Sequence, residues 1–294
     1  MQKLFSFIIL STLFLGCNDG EIIDTSFDFD NAAIQFCNGS DSFLFYKINE
    51  ANTEAISLLI QGDSDLFIAS DTTSIALNAN NFVNYRVFNS EVTSSYFCTE
   101  VPPTSPQVIS EFIGNSGTLT LLTIAKYDDD DGVPFEKEFV GDTDMDGIPD
   151  YFDFDDDGDN VPTRLELDTE NTDGDNDPLT NPKDTDHDGI ADYLDDDDDG
   201  DGVLTINEDA NRNLNPTDDI TDSTVGPNYL NPEVVEKFSI EAYREHVFDF
   251  TTDAILKINN LILVNENEQR IYETLNFGTI DGILSGELST TPGF

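Results

Sequence analysis

Residues 142–166 read DTDMDGIPDYFDFDDDGDNVPTRLE, and residues 184–208 read DTDHDGIADYLDDDDDGDGVLTINE. The second stretch follows the first without a gap, at an offset of 42 residues (from 142 to 184). Glycine, tyrosine, valine, threonine and glutamate recur at the same places as the aspartates, so biased composition alone does not account for the match. The middle of the chain is therefore an internal duplication.

Each unit contains two twelve-residue loops in which side-chain oxygens occupy positions 1, 3, 5, 9 and 12, and a backbone carbonyl is offered at position 7. Alternate residues of a tight loop aim their oxygens at one centre, and calcium accepts about six to eight oxygens at about 2.3–2.6 Å. The predicted ligands of the first unit are Asp142, Asp144, Asp146, Ile148, Asp150 and Asp153, followed by Asp155, Asp157, Asp159, Val161, Thr163 and Glu166. Those of the second unit are Asp184, Asp186, Asp188, Ile190, Asp192 and Asp195, followed by Asp197, Asp199, Asp201, Val203, Thr205 and Glu208.

Position 6 must turn sharply, which favours glycine and, among other residues, asparagine. It holds glycine in three of the loops and Asn160 in the other. The loops are not paired EF-hands, because Asp153 at position 12 lies two residues before Asp155 at the next position 1, and no helix fits between them.

Back-to-back loops of the type D-x-D-x-D-G-x-x-D-x-x-D resemble thrombospondin type 3 repeats, over about residues 128–210. The resemblance implies an irregular tract wrapped around a row of about four calcium ions, with little apolar core. The cysteines that staple such repeats in animal proteins are absent here, as in bacterial forms. The alternative is a disordered acidic linker.

Some residues of the tract fall outside the full pattern. The stretch 127–134, YDDDDGVP, has tyrosine at position 1, and Asp173, Asp175 and Asp177 are followed by proline where glycine is expected. We do not expect a complete site at either stretch. Asp156, Asp196 and Asp198 lie between ligand positions and are expected to be solvated or to lie behind the ligands.

Charge restricts the classes of partner. The 294-residue chain has a formal net charge of −49, and 36 of its 61 acidic residues lie between Asp128 and Asp222. Nucleic acid is excluded as a partner because its phosphates would be repelled, whereas cations are favoured. With only two histidines, the sequence argues against zinc chemistry and histidine-based catalysis.

The N-terminus predicts export. Residues 1–16 combine Lys3 with a short apolar run, which is typical of a signal peptide. The junction FLGC at 14–17 resembles a bacterial lipobox, which implies that Cys17 carries lipid and holds the protein to a membrane. An ordinary signal peptide with an incidental cysteine is the alternative. The acidic residues after Cys17 resemble the tag that sends Bacteroidota lipoproteins to the outer face of the outer membrane, so we predict a surface-exposed, lipid-anchored protein there.

The flanking sequences predict β-structure. Short alternating apolar runs over 17–127 indicate an antiparallel β-sandwich domain. The calcium-binding tract is assigned to 128–222, and 223–294 is predicted as a short C-terminal β-domain, or as strands that complete the N-terminal domain. Cys37 and Cys98 are expected to form a disulfide outside the cytoplasm, with two buried free thiols as the alternative.

The whole layout resembles surface lipoproteins of Bacteroidota that carry such repeats, and predicts a non-enzymatic spacer, adhesion or ligand-binding protein whose partner is a protein or a glycan. No G-x-S-x-G nucleophile motif occurs, but carboxylate pairs alone can serve a glycosidase. The alternative function is therefore a carbohydrate-binding or carbohydrate-degrading accessory lipoprotein. Because tryptophan is absent, its sugar platform would use tyrosines such as Tyr46, Tyr85 and Tyr243.

We predict that Cys17→Ser moves the protein from the membrane fraction to the soluble fraction, because the acyl chains on Cys17 supply the holding energy. Fractionation with metabolic lipid labelling measures this. Unchanged fractionation, with no lipid on Cys17 in the parent protein, contradicts the prediction.

Overall fold

The computed structural model describes residues 29, 31–99, 101, 103–138, 140–168, 171 and 174–293. The predicted signal peptide, Cys17 and Asp173 lie outside these residues. Within the described ranges, no helix is long and apolar enough to cross a membrane.

The elements are mostly strands. They are β1 Gln35–Asn38, β2 Ser42–Ile48, β3 Glu54–Gln61, β4 Asp71–Ala76, β5 Phe82–Phe88, β6 Val108–Gly114, β7 Thr118–Asp128, β8 His246–Val264 and β9 Gln269–Thr290. The helices are single turns, α1 Phe135–Glu138 and α2 Thr163–Glu166. Short 3-10 turns lie at Ser64–Phe67, Ser94–Tyr96, Asp150–Phe152, Asp192–Leu194, Thr205–Glu208, Pro216–Asp218 and Asn228–Leu230. The predicted mainly β fold is confirmed.

All nine strands belong to one antiparallel sheet. Its order is β1-β2-β3-β5-β6-β8-β7-β4, and β9 pairs with β8. Strands β6 and β8 meet at a single residue pair, Ile113 and Val264, whereas β7 and β8 pair continuously from Thr118 opposite Asn259 to Asp128 opposite Asp249. The antiparallel pairing is thus observed, while the two-layered sandwich stays a prediction.

One hydrophobic core draws on both ends of the chain. Phe45 and Leu58 of the N-terminal strands belong to the same buried cluster as Leu256 and Ile258 of β8 and Phe277 of β9. The predicted separate C-terminal β-domain over 223–294 is therefore corrected, and the second alternative applies: the C-terminal strands complete the N-terminal sheet. The physical reason is that so short a segment buries too little apolar surface alone.

The acidic tract is an insertion between two neighbouring strands. The chain leaves the sheet after Asp128 and returns at His246, and Asp128 lies opposite Asp249 in the β7–β8 ladder. Described residues between 129 and 245 form no strand. Because both ends of the tract meet at one place, the tract does not separate two β-domains, and its role as a spacer stays a prediction.

Aromatic rings join the tract to the sheet. Phe152 of the tract contacts Tyr127 of β7 and Phe248 of β8, with ring centroids 5.4 and 5.0 Å apart. Tyr127 and Phe248 meet edge to face at 5.6 Å. These contacts give the base of the tract an apolar attachment that does not depend on metal.

Cys37 and Cys98 form the predicted disulfide, with their Cα atoms 5.5 Å apart. The bond ties β1 to the connection between β5 and β6, beside a small second core in which Tyr46 stacks on Phe97.

Candidate metal centres

A left-handed backbone at two positions shapes each predicted loop. At position 6, φ lies between 73° and 99° for Gly147, Asn160, Gly189 and Gly202. At position 4, φ lies between 63° and 70° for Met145, Gly158, His187 and Gly200. The prediction for position 6 is confirmed. The requirement at position 4 was not predicted, although Gly158 and Gly200 there were a usable signal; only Met145 gives no sign of a positive φ.

In the first and fourth loops, the carboxylates at positions 3 and 5 each use their two oxygens differently. Asp144 Oδ1 accepts the N–H of Asp146 at 3.0 Å, and Asp146 Oδ1 accepts the N–H of Ile148 at 2.6 Å. The Oδ2 atoms of both aspartates are buried and have no hydrogen-bond partner. Asp199 and Asp201 of the fourth loop repeat the pattern. One oxygen therefore holds the loop, and the other is left for a cation.

The structure brings together part of each predicted ligand set. Within each of the following groups, one ligand atom from every residue lies within 4.8 Å of the others: Asp142, Asp144 and Asp146; Asp157, Asp159, Glu166 and Asp198; Asp184, Asp186 and Asp188; Asp197, Asp199 and Asp201. Each predicted loop thus supplies one group of acidic residues that can hold a metal ion. All donors are oxygens, which is compatible with calcium.

The second loop forms the most enclosed group. Asp157, Asp159, Glu166 and Asp198 are 7%, 0%, 0% and 1% exposed. Both oxygens of Asp157, Glu166 and Asp198, and Oδ2 of Asp159, are buried without a hydrogen-bond partner. Burial and the neighbouring carboxylates raise the pKa of Asp157, Asp159 and Glu166 well above ordinary values. Four such groups cannot stay ionised together unless a cation compensates them.

Asp198 belongs to the fourth loop yet joins the group of the second loop, which corrects its expected solvation. Asp156 corresponds to it at the offset of 42 residues and is likewise only 1% exposed. Each is held in place by a threonine at position 9, because Thr163 Oγ1 accepts the N–H of Asp156 at 3.0 Å and Thr205 Oγ1 that of Asp198 at 3.3 Å. Asp196 is exposed, as expected.

The two threonines thus brace position 2, and metal binding by their hydroxyls stays a prediction. Asp150 and Asp192, predicted as ligands at position 9 of the other two loops, likewise hold the residue at position 2 by hydrogen bonds. Asp150 accepts the N–H of Thr143 at 2.8 Å and its hydroxyl at 3.0 Å. Asp192 binds Thr185 in the same way and pairs with Lys183 at 2.8 Å. Both aspartates therefore brace their loops in this structure, and metal binding by them stays a prediction.

The residues at position 12 differ in their contacts from loop to loop. Asp153 accepts the N–H of Asp155 at 3.1 Å and pairs with His246 at 2.5 Å, which leaves its Oδ2 buried and unpartnered. Glu208 has both carboxylate oxygens buried without a partner. Burial, followed by repulsion from Asp199 and Asp201, raises the pKa of Glu208 to about 9. Glu208 therefore faces the group of its own loop.

Asp195 shows a weaker form of this closure. Burial raises its pKa, with smaller contributions from Asp188 and Asp186 of the same loop. Asp153 and Asp195 nonetheless lie outside the acidic groups that come within 4.8 Å.

Asp155 at position 1 of the second loop accepts a backbone N–H with each of its oxygens. Its Oδ1 accepts the N–H of Asp159 at 3.2 Å, and its Oδ2 accepts the N–H of Asn160 at 2.8 Å. At position 7 the backbone N–H groups of Ile148, Val161, Ile190 and Val203 donate to the aspartate two residues before each. Metal binding by their carbonyl oxygens stays a prediction.

Asn160 links the second loop to the segment that returns to β8. Its Oδ1 accepts the N–H of Arg244 at 2.9 Å, and its Nδ2 donates to the carbonyl of Ala242 at 3.1 Å. The Arg244 guanidinium donates to the backbone carbonyl of Asn160 at 3.1 Å. Glycine would supply the backbone conformation but not these side-chain bonds. This is the physical reason for asparagine at this position 6.

Two further stretches adopt the same loop backbone. In one, φ is positive at Gly174 and Asn176, and the N–H of Asn176 donates to Asn171 Oδ1 at 2.8 Å. The register is thus two residues earlier than predicted for Asp175 and Asp177, with Asn171 at position 1. In the other, φ is positive at Arg212 and Leu214, and Asp209 accepts the N–H groups of Asn213 and Leu214.

No protein-family model, no curated protein and no solved structure matches this chain.

We predict that the chelated protein loses order in the tract as the pH rises from about 5 to about 9. Burial first, and nearby carboxylates next, raise the pKa of Asp144 to about 6, of Asp198 to about 8 and of Glu208 to about 9. Between the ordinary pKa near about 4 and these values, the folded tract binds more protons than the unfolded tract, so its stability falls as the pH rises. Small-angle scattering across this range measures the expansion, and saturating calcium should remove it. An increase in compactness with pH in chelator would contradict the prediction.

Proposed function

We propose that this chain is a calcium-stabilised, lipid-anchored protein of the outer-membrane surface, with a non-enzymatic role in adhesion or ligand binding. One observation carries the calcium part: carboxylate oxygens are buried and have no hydrogen-bond partner at the centre of the predicted loops. An unpaired buried carboxylate is costly, and several at one place repel one another. A cation bound among them removes both costs.

Calcium is the cation that this geometry favours. The groups offer only oxygen ligands, and thiolates and imidazoles, which favour zinc, are absent from them. Magnesium demands a nearly ideal octahedron and keeps several waters, whereas calcium accepts irregular cages of about six to eight oxygens. Extracellular calcium modules commonly have dissociation constants of about 0.1–1 mM, which suits an exposed cell-surface protein.

The location is proposed from the N-terminal sequence. The apolar run before Cys17, and the acidic residues after it, support a lipid anchor and export to the outer face. A thrombospondin type 3-like tract wrapped around calcium fits the same location, because free calcium is plentiful outside the cell.

The position of the tract in the sheet determines which part of the molecule calcium would order. The tract is inserted between β7 and β8, so calcium would order a structure that stands on the sheet and not a rod between two domains. The sheet, held by its own core and by the Cys37–Cys98 disulfide, does not need the metal. The surface available to a partner is therefore the ordered insert together with its junction to the sheet.

We predict that the chelated protein takes up at least four calcium ions, and that Asp146→Ala and Asp188→Ala each remove one. Each substitution removes one of the three carboxylates that form the group, and alanine offers no oxygen in its place. Calorimetry gives the stoichiometry, and Asp65→Asn, an exposed acid beside the sheet, is the matched control and should keep the full count. Fewer than four ions bound at saturation by the parent protein would defeat the proposal.

A cavity favours the carbohydrate-binding alternative as a second candidate. It has a volume of about 730 Å³ and is lined by Tyr127, Phe135, Tyr151, Phe250, Asp128 and Asp249, among others. This volume is within the usual range for small-molecule sites. Aromatic faces beside two carboxylates suit a sugar, which has apolar faces and hydroxyl donors. The tyrosines suggested by the sequence serve less well, because Tyr46 and Tyr85 are 2% and 5% exposed in the core.

We predict that a glycan ligand found on an array with calcium loses at least tenfold in affinity with Phe135→Ala. Phe135 is 47% exposed at the cavity, so its removal takes away a binding surface without opening the core. Ile271→Ala, 66% exposed on β9 and outside the cavity lining, is the control and should bind normally. No glycan bound with or without calcium would remove this candidate and leave the first.

A further inference from the structure

A cluster of carboxylates lies where the tract leaves the sheet, outside the four predicted loops. Asp129 and Asp131 follow β7 directly and come within 4.8 Å of Asp156, each through one oxygen. Glu138, at the end of α1, stands at position 12 of a loop that begins at Tyr127, and its Oε1 is buried. Asp131, Glu138 and Asp156 are 5%, 7% and 1% exposed.

The cluster contains oxygens that only a ligand would satisfy. Both carboxylate oxygens of Asp156, Oδ2 of Asp129, Oδ2 of Asp131 and Oε1 of Glu138 are buried and have no hydrogen-bond partner. Three of these side chains are more than nine-tenths buried, so solvent does not compensate their charge. No lysine or arginine forms an ion pair with them among the described residues.

The backbone here is that of the metal loops. φ is positive at Asp130 and Gly132, which are positions 4 and 6 when Tyr127 is position 1. Asp129 Oδ1 accepts the N–H of Asp131 at 3.2 Å, and Asp131 Oδ1 accepts the N–H of Val133 at 2.8 Å. The division of oxygens between loop and centre is the same as at Asp144 and Asp146.

Tyr127 at position 1 is no obstacle to a site. In the second loop the residue at this position, Asp155, gives both oxygens to backbone N–H groups and lies outside the acidic group. Like that group, the junction cluster brings together positions 3 and 5 of one loop and position 2 of another, and Glu138 stands at position 12, where the second loop has Glu166. Asp156 serves the junction cluster as Asp198 serves the second loop.

We propose that Asp129, Asp131, Glu138 and Asp156 bind a fifth divalent cation, calcium, at the junction of tract and sheet. This inference rests on the proposed calcium function for the choice of ion, but its residues and its position are separate. The ion joins β7, α1 and the second loop, because Asp156 comes from that loop. The bound ion thereby fixes the position of Phe135. The ring centroids of Phe135 and Tyr151 lie 5.2 Å apart, and the two rings form one wall of the aromatic cavity.

The test counts ions and locates their effect. We expect native mass spectrometry of the calcium-saturated full chain to show five ions, and the double variant Asp129→Asn with Glu138→Gln to show four. Hydrogen exchange should show calcium-dependent protection of residues 129–138 that is lost in this variant, while residues 199–208 keep theirs.

A paired variant separates the junction from the other sites. Glu208→Gln should weaken protection of 199–208 and leave 129–138 protected, the reverse of the double variant. Amide protection in β2 and β3 reports that the sheet is folded in every variant.

The outcomes distinguish the two proposals. No calcium bound by the parent protein would overturn the proposed function. Four ions in both the parent protein and the double variant, with exchange in 129–138 indifferent to calcium, would overturn the junction site alone. An unchanged count of five in the double variant would also overturn it.

Discussion

The repulsion among buried carboxylates is the constraint on which the structure of the tract depends. At the second loop, four carboxylates meet within 4.8 Å, each at most 7% exposed. In so little water their charges are poorly screened, and desolvation and repulsion act in the same direction. The backbone of the loop is nevertheless hydrogen-bonded, because Asp155 and Asp159 accept its N–H groups. The loop can hold a cation, which would compensate the charges of these carboxylates. Protons would compensate them less well.

The repeats are linked by their ligands as well as by the chain. Asp156 and Asp198 sit at position 2 of their own loops, are held there by Thr163 and Thr205, and deliver their carboxylates to a different loop. An ion at one loop therefore favours the folded form of the next, so binding free energy becomes folding free energy along the tract. Asn160 extends this linkage to the returning segment through its bonds to 242–244.

The sequence predicted those features that depend on local spacing. The duplication, the sharp turn at position 6 and the mainly β flanks follow from residue types and their spacing. The Cys37–Cys98 pair, 61 residues apart, was predicted because these are the two cysteines other than Cys17. The exchange of Asp156 and Asp198 between loops was missed, although their recurrence at 42 residues was a usable signal. The bracing role of Asp150 was missed because aspartate at position 9 reads equally well as a ligand. The pairing of β8 with β7 could not be predicted, since it joins residues more than a hundred positions apart and no local pattern records its partner.

This pairing decides how calcium can influence the rest of the molecule. Because β7 and β8 are neighbours, the tract closes on itself whether it is ordered or not, and the entropy of closing so long a loop grows only slowly with its length. The apolar contacts of Phe152 with Tyr127 and Phe248 hold the base of the tract without any ion. Loss of calcium should therefore act mainly on the insert and spare the sheet. The junction connects the insert, which responds to calcium, with the sheet, which does not. Asp129 follows β7 directly, while its partner Asp156 belongs to the repeat. A cation there would transmit the order of the insert to the cavity wall, and the shape of that cavity would depend on calcium even though most of its lining belongs to the sheet.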